Sequence, residues 1–378
     1  MKLAFTMFKY FPYGGLQRDA LRIAELCRRA GAEVDIYAAR LQGEPPEGVN
    51  FTHLSGSGLT HHRQYLDFAR RFKALAGEKG YRAVVGFNKM PGLDLYFAAD
   101  PCFLATAREK GTLARLTGRY RTFAAFEKAV FDPAAETVIL SISEVQKKLF
   151  REIYGTPAAR FCDLPPGVPA DRLLPPDSGE LGKELRRELG IADNEVVVLM
   201  VGSGFKRKGV DRALMALQSL PGELFSRTRL VVVGDDDLEV YRKMAARLEV
   251  FERVLFTGGR TDVTRFLAAA DLFLHPARQE NTGGVLIEAL AAGLPVLVTG
   301  VCGYSVHIER AQAGIVTPEP FSQEALNGAL RKMAAAPEQR RDWRRKALDY
   351  VSQTDLFSLA EKAAAKIIAV AKAKQQQR

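Results

Sequence analysis

Hydrophobic and polar positions follow two alternating periods along the chain, and this pattern predicts parallel strands joined by helices. Short apolar runs rich in β-branched residues predict strands, and apolar residues recurring every three or four positions predict amphipathic helices. The alternation of strand and helix is typical of a doubly wound α/β protein. The predicted strands cover 2–8, 33–38, 82–87, 137–143, 195–202, 229–234, 253–258, 272–276 and 295–300.

The predicted helices lie between these strands, and the composition changes once along the way. They cover 16–29, 210–219, 238–249, 262–269, 284–292, 322–336 and 356–374. Residues 163–182 contain five prolines and three glycines and predict a linker between two similar α/β halves. We therefore expect a Rossmann-like domain over 1–165, a second over 166–350, and a C-terminal helical segment over 351–378.

Length and composition narrow the class of protein. The chain has 378 residues, of which 47% are hydrophobic and 26% charged, which excludes general disorder. The four cysteines, Cys27, Cys102, Cys162 and Cys302, are too far apart to predict a zinc site or a disulfide framework. No apolar run reaches the roughly 20 residues of a membrane span, and we expect a cytoplasmic protein.

The net charge of +10 predicts an anionic partner. Nucleic acid, a phosphorylated ligand and an anionic membrane surface all satisfy that expectation. The charge alone does not choose among them.

The segment 278–304 (RQENTGGVLIEALAAGLPVLVTGVCGY) carries the strongest chemical signal. Gly283 and Gly284 open a predicted helix directly after a strand, and free backbone amides at a helix start suit a diphosphate. Glu288 lies deeper in that helix, where its carboxylate can accept both hydroxyls of a ribose. Glu280 precedes the helix and is placed to face a sugar beyond the phosphates.

A second segment, 201–212 (VGSGFKRKGVDR), follows the first strand of the second half. Arg207 and Lys208 lie in this glycine-containing loop, where paired cations neutralise the charge that develops on a diphosphate leaving group. We expect Asp211 to cap the following helix. Asp235, Asp236 and Asp237 look like a metal-binding DxD motif, but their place between strand and helix favours capping, and we predict no metal site.

The chain resembles the retaining glycosyltransferases of the GT-B fold, and in particular the lipopolysaccharide core glucosyltransferase I family. The resemblance is carried by two glutamates separated by seven residues and followed by ALAAGLPV, and by other segments that together span nearly the whole chain. These segments are 8–19 (FKYFPYGGLQRD), 84–100 (VVGFNKMPGLDLYFAAD), 204–212 (GFKRKGVDR), 269–277 (AADLFLHPA) and 319–327 (EPFSQEALN).

The resemblance implies two Rossmann-like domains facing across a cleft, with the C-terminal helix crossing back to the N-terminal domain. It implies a UDP-sugar donor, a heptose of the lipopolysaccharide inner core as acceptor, an α-linked product with retained configuration, and neither a metal nor a separate cofactor. It further implies a Gram-negative, cytoplasmic enzyme that binds the inner membrane peripherally.

The family's functional positions carry over to this sequence residue by residue. Those expected to contact the donor are Gly14, Gly15, Arg207, Lys208, Arg260 through its backbone, Asn281, Thr282, Gly283, Gly284 and Glu288. Glu280 is expected to contact the transferred sugar, and Asp19 and Asp100 are acidic candidates on the acceptor side. Asp100 also ends an apolar run, which favours a functional carboxylate there.

Two features leave alternatives open. Asn281 and Thr282 stand where glucose-specific members carry small apolar residues, so glucose, galactose and N-acetylhexosamine all remain candidate donor sugars. Retention is compatible with a front-face route, in which the leaving diphosphate takes the acceptor proton, and with a covalent route through Glu280. We favour the front-face route.

Residues 108–128 hold the densest positive charge. Six basic residues, Arg108, Lys110, Arg115, Arg119, Arg121 and Lys128, oppose Glu109 and Glu127. Leu113, Leu116, Tyr120, Phe123 and Phe126 lie among them, a pattern that suits an amphipathic surface on anionic lipid. The alternative is a helix that packs its apolar face into the N-terminal domain.

Two other functions fit parts of the pattern. A GT-B nucleotide-sugar epimerase shares the expected fold, since fold does not fix the reaction. A basic nucleic-acid-binding protein fits the charge, but no nucleic-acid-binding motif is present, and we expect no such partner.

Overall fold

The structure is a computed structural model. It describes residues 1–12, 14–108, 115–168, 172–175 and 178–376. These residues divide into two compact units. The first unit is Met1–Pro165 together with the C-terminal segment from Ser358, and the second is Pro166–Phe357.

The strands of the described residues all pair in parallel. In chain order they are β1 (Lys2–Tyr10), β2 (Glu33–Leu41), β3 (Asn50–His53), β4 (Ala83–Gly86), β5 (Leu95–Phe97), β6 (Val138–Ser141), β7 (Phe161–Asp163), β8 (Val196–Val201), β9 (Thr228–Val233), β10 (Val254–Gly258), β11 (Leu272–His275), β12 (Val296–Thr299) and β13 (Gly314–Thr317).

Helices connect these strands. In chain order they are α1 (Gly15–Arg29), α2 (His61–Lys79), α3 (Phe103–Arg108), α4 (Gly118–Phe131), α5 (Glu144–Tyr154), α6 (Ser178–Glu188), α7 (Phe205–Lys208), α8 (Val210–Gln218), α9 (Gly222–Ser226), α10 (Leu238–Arg247), α11 (Val263–Ala269), α12 (Gly284–Ala291), α13 (Ser305–Ala311), α14 (Gln323–Ala335), α15 (Pro337–Gln353) and α16 (Leu359–Gln376).

The two sheets share one doubly wound strand order, to which the seven-stranded first sheet adds β7 at one edge. The first unit orders its strands β3-β2-β1-β4-β5-β6-β7, and the second orders them β10-β9-β8-β11-β12-β13. In each sheet the winding reverses once, between β1 and β4 and between β8 and β11. Ligands of such sheets bind outside the carboxyl ends of the strands at that reversal. The topology thus selects one candidate site in each unit.

Burial on both faces explains why the predicted strands form a parallel sheet. In β8, Val197 and Leu199 point into one buried cluster, and Val198 and Met200 point into the other. Helices cover both clusters, which is why these strands are almost continuously apolar. The predicted doubly wound α/β class is confirmed.

The C-terminal helix packs on the first unit, as predicted. Its small side chains Ala360, Ala363 and Ala364 lie fully or nearly fully buried with Ile23 of α1, and small residues allow the two helices to approach closely. Helix α15 extends to Gln353, and Leu356 is buried in the second unit. The return to the first unit therefore begins at Ser358 rather than at 351, because residues 351–357 complete the second unit.

Candidate active site

The candidate site of the second unit is built from the loops that follow β8 and β11. After β8 the chain turns into the four-residue helix α7, which carries Arg207 and Lys208. Gly209 then adopts a positive φ of 76°, and a Cβ at this position would lie 2.1 Å from the carbonyl oxygen of Pro276. Only glycine permits this approach, so Gly209 brings the α7 loop against the loop after β11.

The structure brings Arg207, Lys208 and Glu280 together although they lie in two separate motifs. Arg207 Nη1 is 2.7 Å from Glu280 Oε2, and Lys208 Nζ donates a hydrogen bond to the same oxygen. The Lys208 and Glu280 side chains are only 11% and 13% exposed, whereas Arg207 is 46% exposed. Two cations thus converge on one carboxylate, and the cluster carries a net positive charge.

Electrostatics keep Glu280 ionised. Burial by itself raises the pKa of this carboxyl, but the approach of His275 and the charges of Lys208 and Arg207 outweigh it and hold the pKa well below its usual range. At neutral pH Glu280 is therefore an anion, and its carboxylate pairs with both Arg207 and Lys208. An anionic ligand that binds Arg207 and Lys208 competes directly with it.

His275 belongs to this cluster and was missed by sequence reasoning. It ends β11, is 1% exposed, and its Nε2 lies 3.6 Å from Glu280 Oε2. Neither ring nitrogen has a hydrogen-bond partner within the described part of the chain. Burial lowers the pKa of His275 against the opposing effect of Glu280, so the ring is neutral at pH 7. The sequence feature that could have identified it is a histidine at the carboxyl end of a strand predicted to be buried.

Asp211 does not cap helix α8, so that prediction is wrong. Its carboxylate accepts hydrogen bonds from both terminal nitrogens of Arg278, at 2.7 and 2.6 Å. Gly209 occupies the cap position without a side-chain hydrogen bond. Arg212 donates to the carbonyl oxygens of Pro276 and Ala277, at 3.2 and 3.0 Å. Side chains of α8 therefore hold the loop after β11 in place.

The glycines that open α12 differ in their surroundings. Gly283 has a φ of 83° and is buried, whereas a Cβ on Gly284 would meet nothing within 4 Å among the described residues. Asn281 and Thr282 are partly buried between Glu280 and this helix start, and Glu288 is partly buried on α12. The helix start thus leaves open space beside Gly284, where a bound anion has room.

The remaining predicted positions of the second unit have local partners. The Arg260 guanidinium forms a bidentate pair with Asp262, with both distances 2.8 Å. Asp237 caps α10 by accepting from the Glu239 amide, and Asp236 accepts from the Phe205 amide. In the residues described, no group of three or more His, Cys, Asp and Glu side chains is placed to hold a metal ion.

In the first unit, Gly14 and Gly15 lie at the start of α1, the helix that follows β1. A Cβ on Gly14 would collide with Gln17 Oε1 at 1.8 Å, and one on Gly15 would meet no described atom within 4 Å. Asp19 lies on the first turns of α1 and is partly buried. Burial raises the pKa of Asp19 to about 6, against the opposing charges of Arg18 and Arg22.

Asp100 follows β5 and is held by two neighbours. Asn88 Nδ2 donates to both of its oxygens, at 3.3 and 3.1 Å, and the Tyr96 hydroxyl donates to one of them at 3.5 Å. Asn88 Oδ1 in turn accepts from the Phe8 amide at 2.8 Å. The carboxylate is therefore fixed next to the end of β1, at the reversal point of this sheet.

The segment 108–128 divides between core and surface. Residues 109–114, with Lys110 and Leu113, and the side chain of Arg108 lie outside the described residues. Phe126 is buried, while Arg115, Arg119 and Arg121 are exposed and Leu116 is 67% exposed. Glu127, which opposes the basic residues in the sequence, adds no charge to the surface, because its side chain is fully buried. No helix within the described ranges is long and apolar enough to cross a membrane.

Comparisons with known proteins agree with this architecture. Residues 182–349 match the family Glycosyl transferases group 1. Over 368 residues the chain is 44% identical to the lipopolysaccharide glucosyltransferase WaaG of Escherichia coli, covering 96% of this chain and 98% of that one. A 31% identity to a GDP-mannose-dependent mannosyltransferase of Mycobacterium tuberculosis covers 47% of this chain and 48% of that protein.

Solved structures give the same assignment. The crystal structure of WaaG superposes with a TM-score of 0.88 over 97% of this chain and 99% of that chain. Anabaena HepE, crystallised with UDP-glucose, is 18% identical and has a TM-score of 0.73 over 99% of this chain and all of HepE, which shows a shared fold. The GT-B class is thereby confirmed, and the chain belongs to the WaaG family of group 1 glycosyltransferases.

Proposed function

We propose that this glycosyltransferase acts in lipopolysaccharide biosynthesis by moving a hexose from a UDP-sugar to an inner-core heptose. The observation that carries the proposal is the 44% identity to a lipopolysaccharide glucosyltransferase along 96% of the chain. The convergence of Arg207 and Lys208 at the β8–β11 reversal supports a donor that carries a diphosphate.

The diphosphate of the donor binds Arg207 and Lys208 in this proposal. It replaces the Glu280 carboxylate, which holds both cations in the structure. The exposed start of α12 supplies backbone amides at Gly283 and Gly284. Glu288 holds the ribose hydroxyls, the backbone near Arg260 contacts the uracil, and the Gly14–Gly15 turn of the first unit approaches the pyrophosphate.

Transfer proceeds on the front face of the sugar. The bond between the anomeric carbon and the diphosphate oxygen breaks, and the acceptor hydroxyl oxygen bonds to the same face of that carbon. The acceptor proton passes to the departing diphosphate. Arg207 and Lys208 stabilise the charge that develops on the leaving group, and Glu280, released from them, contacts the sugar.

The two retaining routes make different demands on Glu280. A covalent route requires its carboxylate to attack the anomeric carbon, whereas the front-face route requires it only to contact the sugar. We expect Glu280→Gln to bind UDP at least as tightly as the wild type, because a neutral amide competes less with the diphosphate. We also expect no glycosyl-enzyme in intact-protein mass spectra of wild type incubated with a 2-fluoro UDP-sugar. A trapped adduct on Glu280 contradicts the front-face route.

Asn281 and Thr282 are proposed to read the donor sugar, and glucose, galactose and N-acetylhexosamine are the candidates. Polar groups in a buried pocket discriminate strongly because an unmatched group loses its hydrogen bonds. UDP release from each of the three UDP-sugars identifies the donor. If UDP-glucose is the only one of the three that is turned over, the proposal that Asn281 and Thr282 alter donor specificity is wrong.

The enzyme is proposed to need neither a metal nor a separate cofactor. Asp235, Asp236 and Asp237 resemble a metal-binding motif, but the side chains of Asp236 and Asp237 accept hydrogen bonds from backbone amides. Activity that persists after EDTA treatment supports this proposal, and activity lost to EDTA and restored by a divalent cation contradicts it.

The proposed retention of configuration is tested by NMR of the glycosidic linkage in the product, in which we expect the α-anomer.

The acceptor side is assigned to Asp19 and Asp100 of the first unit, and the membrane side to the segment 108–128. The exposed Arg115, Arg119 and Arg121 suit an anionic lipid surface, and Leu116 adds an exposed apolar side chain beside them. We propose a cytoplasmic enzyme that binds the inner membrane through this face and there meets its lipid-borne acceptor.

A further inference from the structure

The segment that carries Asp100 rests on the most deeply buried ion pair of the described residues. Lys89 and Glu127 have side chains 8% and 0% exposed, and Lys89 Nζ lies 2.5 Å from Glu127 Oε2. Lys89 also donates to the carbonyl oxygen of Pro101 at 2.6 Å. The pair therefore touches the residue directly after Asp100.

Glu127 binds the next part of the same segment. Its carboxylate accepts hydrogen bonds from the backbone amides of Phe103 and Leu104, at 2.6 and 3.0 Å, and from the Tyr154 hydroxyl at 2.9 Å. A side chain of α4 thus satisfies amide groups at the start of α3, which have no partner within that helix. The Cys102 thiol also donates to Glu127, at 3.6 Å, so Lys89 and Glu127 together contact all four residues that follow Asp100.

Asn88, the neighbour of Lys89, holds the Asp100 side chain itself. Asn88 and Lys89 both lie in the sequence GFNKMPGLD after β4, which is specific to the family resemblance but has no assigned role in donor binding. One residue fixes the carboxylate and the next fixes the backbone behind it. The two contacts leave the Asp100 carboxylate little freedom to shift.

Stability alone does not account for such a pair. The cost of removing two charges from water offsets much of their attraction, and apolar residues of similar volume often stabilise a core equally well. A buried pair with several further hydrogen bonds does, however, fix the geometry of the backbone that it binds. Fixed geometry matters where a reacting group must be placed to within a fraction of an ångström.

We propose that Asn88, Lys89 and Glu127 are positioning residues that place the Asp100 carboxylate for the sugar acceptor. The inference rests on the proposed acceptor-side role of Asp100. None of the three residues needs to touch the acceptor. Their effect is confined to acceptor kinetics and does not extend to donor binding, because their hydrogen bonds and ion pair reach none of the residues proposed to bind the donor.

The double variant K89M/E127M replaces the pair by apolar side chains of similar length. We expect it to fold, with a cooperative thermal transition, and to bind UDP as the wild type does in titration calorimetry. The kcat/KM for a truncated core lipid acceptor is expected to fall about 100-fold. The K89Q/E127Q variant, which keeps polar atoms able to meet Pro101 and Phe103, is expected to recover part of the loss.

Asn88→Ala gives a second measurement if the apolar double variant does not fold. Asn88 is only partly buried, and its removal frees Asp100 without leaving a buried charge. We expect the KM or kcat for the acceptor to change about tenfold, with UDP affinity unchanged. Unaltered acceptor kinetics in folded N88A or folded K89M/E127M overturn the positioning role.

Asp100→Asn separates this inference from the proposed function. If D100N retains full acceptor turnover, the assignment of Asp100 to the acceptor side is wrong, and the positioning role falls with it. If D100N loses turnover while N88A and K89M/E127M retain it, the assignment stands and the positioning role alone is overturned.

Discussion

Arg278 and Asp211 form a bidentate ion pair that joins helix α8 to the loop after β11. The two hydrogen bonds measure 2.7 and 2.6 Å, and Arg278 Nη1 also lies 2.9 Å from the carbonyl oxygen of Lys206. Arg278 precedes Glu280 by two residues, and Lys206 precedes Arg207. The pair therefore fixes the spacing between the cations and the carboxylate that they bind.

Loss of this pair is expected to impair donor binding more than folding. Arg278→Ala removes a pair that is partly exposed, so the free energy of unfolding falls by only about 1 kcal/mol. The KM for the UDP-sugar is expected to rise about tenfold, because the loops after β8 and β11 lose their fixed spacing. Arg278→Lys restores the charge but not the fork geometry and is expected to restore only part of the affinity.

Arg345→Ala is the matched control for Arg278→Ala. Arg345 pairs with Asp342 and Asp349 on the surface of α15, at 2.7 and 3.4 Å. Its removal also costs an exposed ion pair but leaves the loops after β8 and β11 untouched. An unchanged KM in Arg278→Ala, or an equal change in Arg345→Ala, contradicts the role of the pair.

Gly284 and Gly283 allow the diphosphate position to be tested by adding one methyl group. Gly284→Ala meets no described atom, and alanine favours helix over glycine, so unfolding stability is expected to stay level or rise slightly. The affinity for UDP is expected to fall about tenfold, or about 1.4 kcal/mol, because the methyl group enters the space proposed for the phosphates.

Gly283→Ala is the contrasting variant. Its φ of 83° is unfavourable for any residue with a Cβ, and that Cβ would meet Leu286 at 3.2 Å. We expect a loss of unfolding stability of about 1–3 kcal/mol. Calorimetric UDP binding and thermal unfolding measure both effects. If Gly284→Ala binds UDP with the affinity of the wild type, the diphosphate does not bind at the start of α12.

Asp19 predicts a pH dependence. Burial raises its pKa to about 6, so the carboxyl loses its charge as the pH falls through about 6. If the ionised form acts on the acceptor side, kcat/KM for the acceptor decreases below that pH. Asp19→Asn is expected to lower the rate and to remove this limb of the profile. If kcat/KM for the acceptor still decreases near pH 6 in Asp19→Asn, the decrease is due to another group and the prediction is contradicted.

The same pKa shift predicts an effect on stability of the opposite sign. A carboxyl whose pKa is raised on folding favours the folded state below its ordinary pKa near 3.8, and this contribution is lost as the pH rises through about 6. Asp19→Asn stays neutral throughout. Its unfolding free energy relative to the wild type is therefore expected to increase between pH 4 and pH 7, as measured by urea denaturation.

The exposed arginines just before and within the first turn of α4 predict salt-sensitive membrane binding. Replacing Arg115, Arg119 and Arg121 by glutamine is expected to weaken binding to phosphatidylglycerol vesicles about 100-fold at low salt, at about 1 kcal/mol for each charge. Glutamine at Arg341, Arg344 and Arg345 of α15 makes the same change in net charge elsewhere and serves as control. Equal losses in both triple variants, or no vesicle binding by the wild type, contradict a specific membrane face.

The sequence predicted those parts of the fold that depend on contacts between residues close together in the chain. The strand Val196–Val201 is apolar on both faces, and its continuous apolar run predicted it. Leu95–Phe97 and Phe161–Asp163 have three residues each, and Asn50–His53 is largely exposed, so none of these three strands shows a clear hydrophobic pattern. Their pairing to neighbours in the sheet forms them.

The site shows the same division. Arg207, Lys208 and Glu280 were identifiable because each lies in a local motif at the end of a strand. That they meet at one carboxylate oxygen is a contact across more than 70 residues, which no local pattern contains. Glu127 looked like one more charge on an amphipathic helix, since its partner Lys89 is 38 residues away.

Mass spectrometry of a heptose-terminated core lipid is the most direct test of hexosyl transfer by this protein. The lipid is incubated with purified enzyme and, in turn, UDP-glucose, UDP-galactose and UDP-N-acetylhexosamine. We expect one of these donors to add a single sugar residue to the heptose. The reaction is expected to disappear in Lys208→Met and to persist in Arg345→Ala. Release of UDP with no gain in lipid mass, or an isomerised UDP-sugar as the sole product, would contradict a transferase of the lipopolysaccharide core.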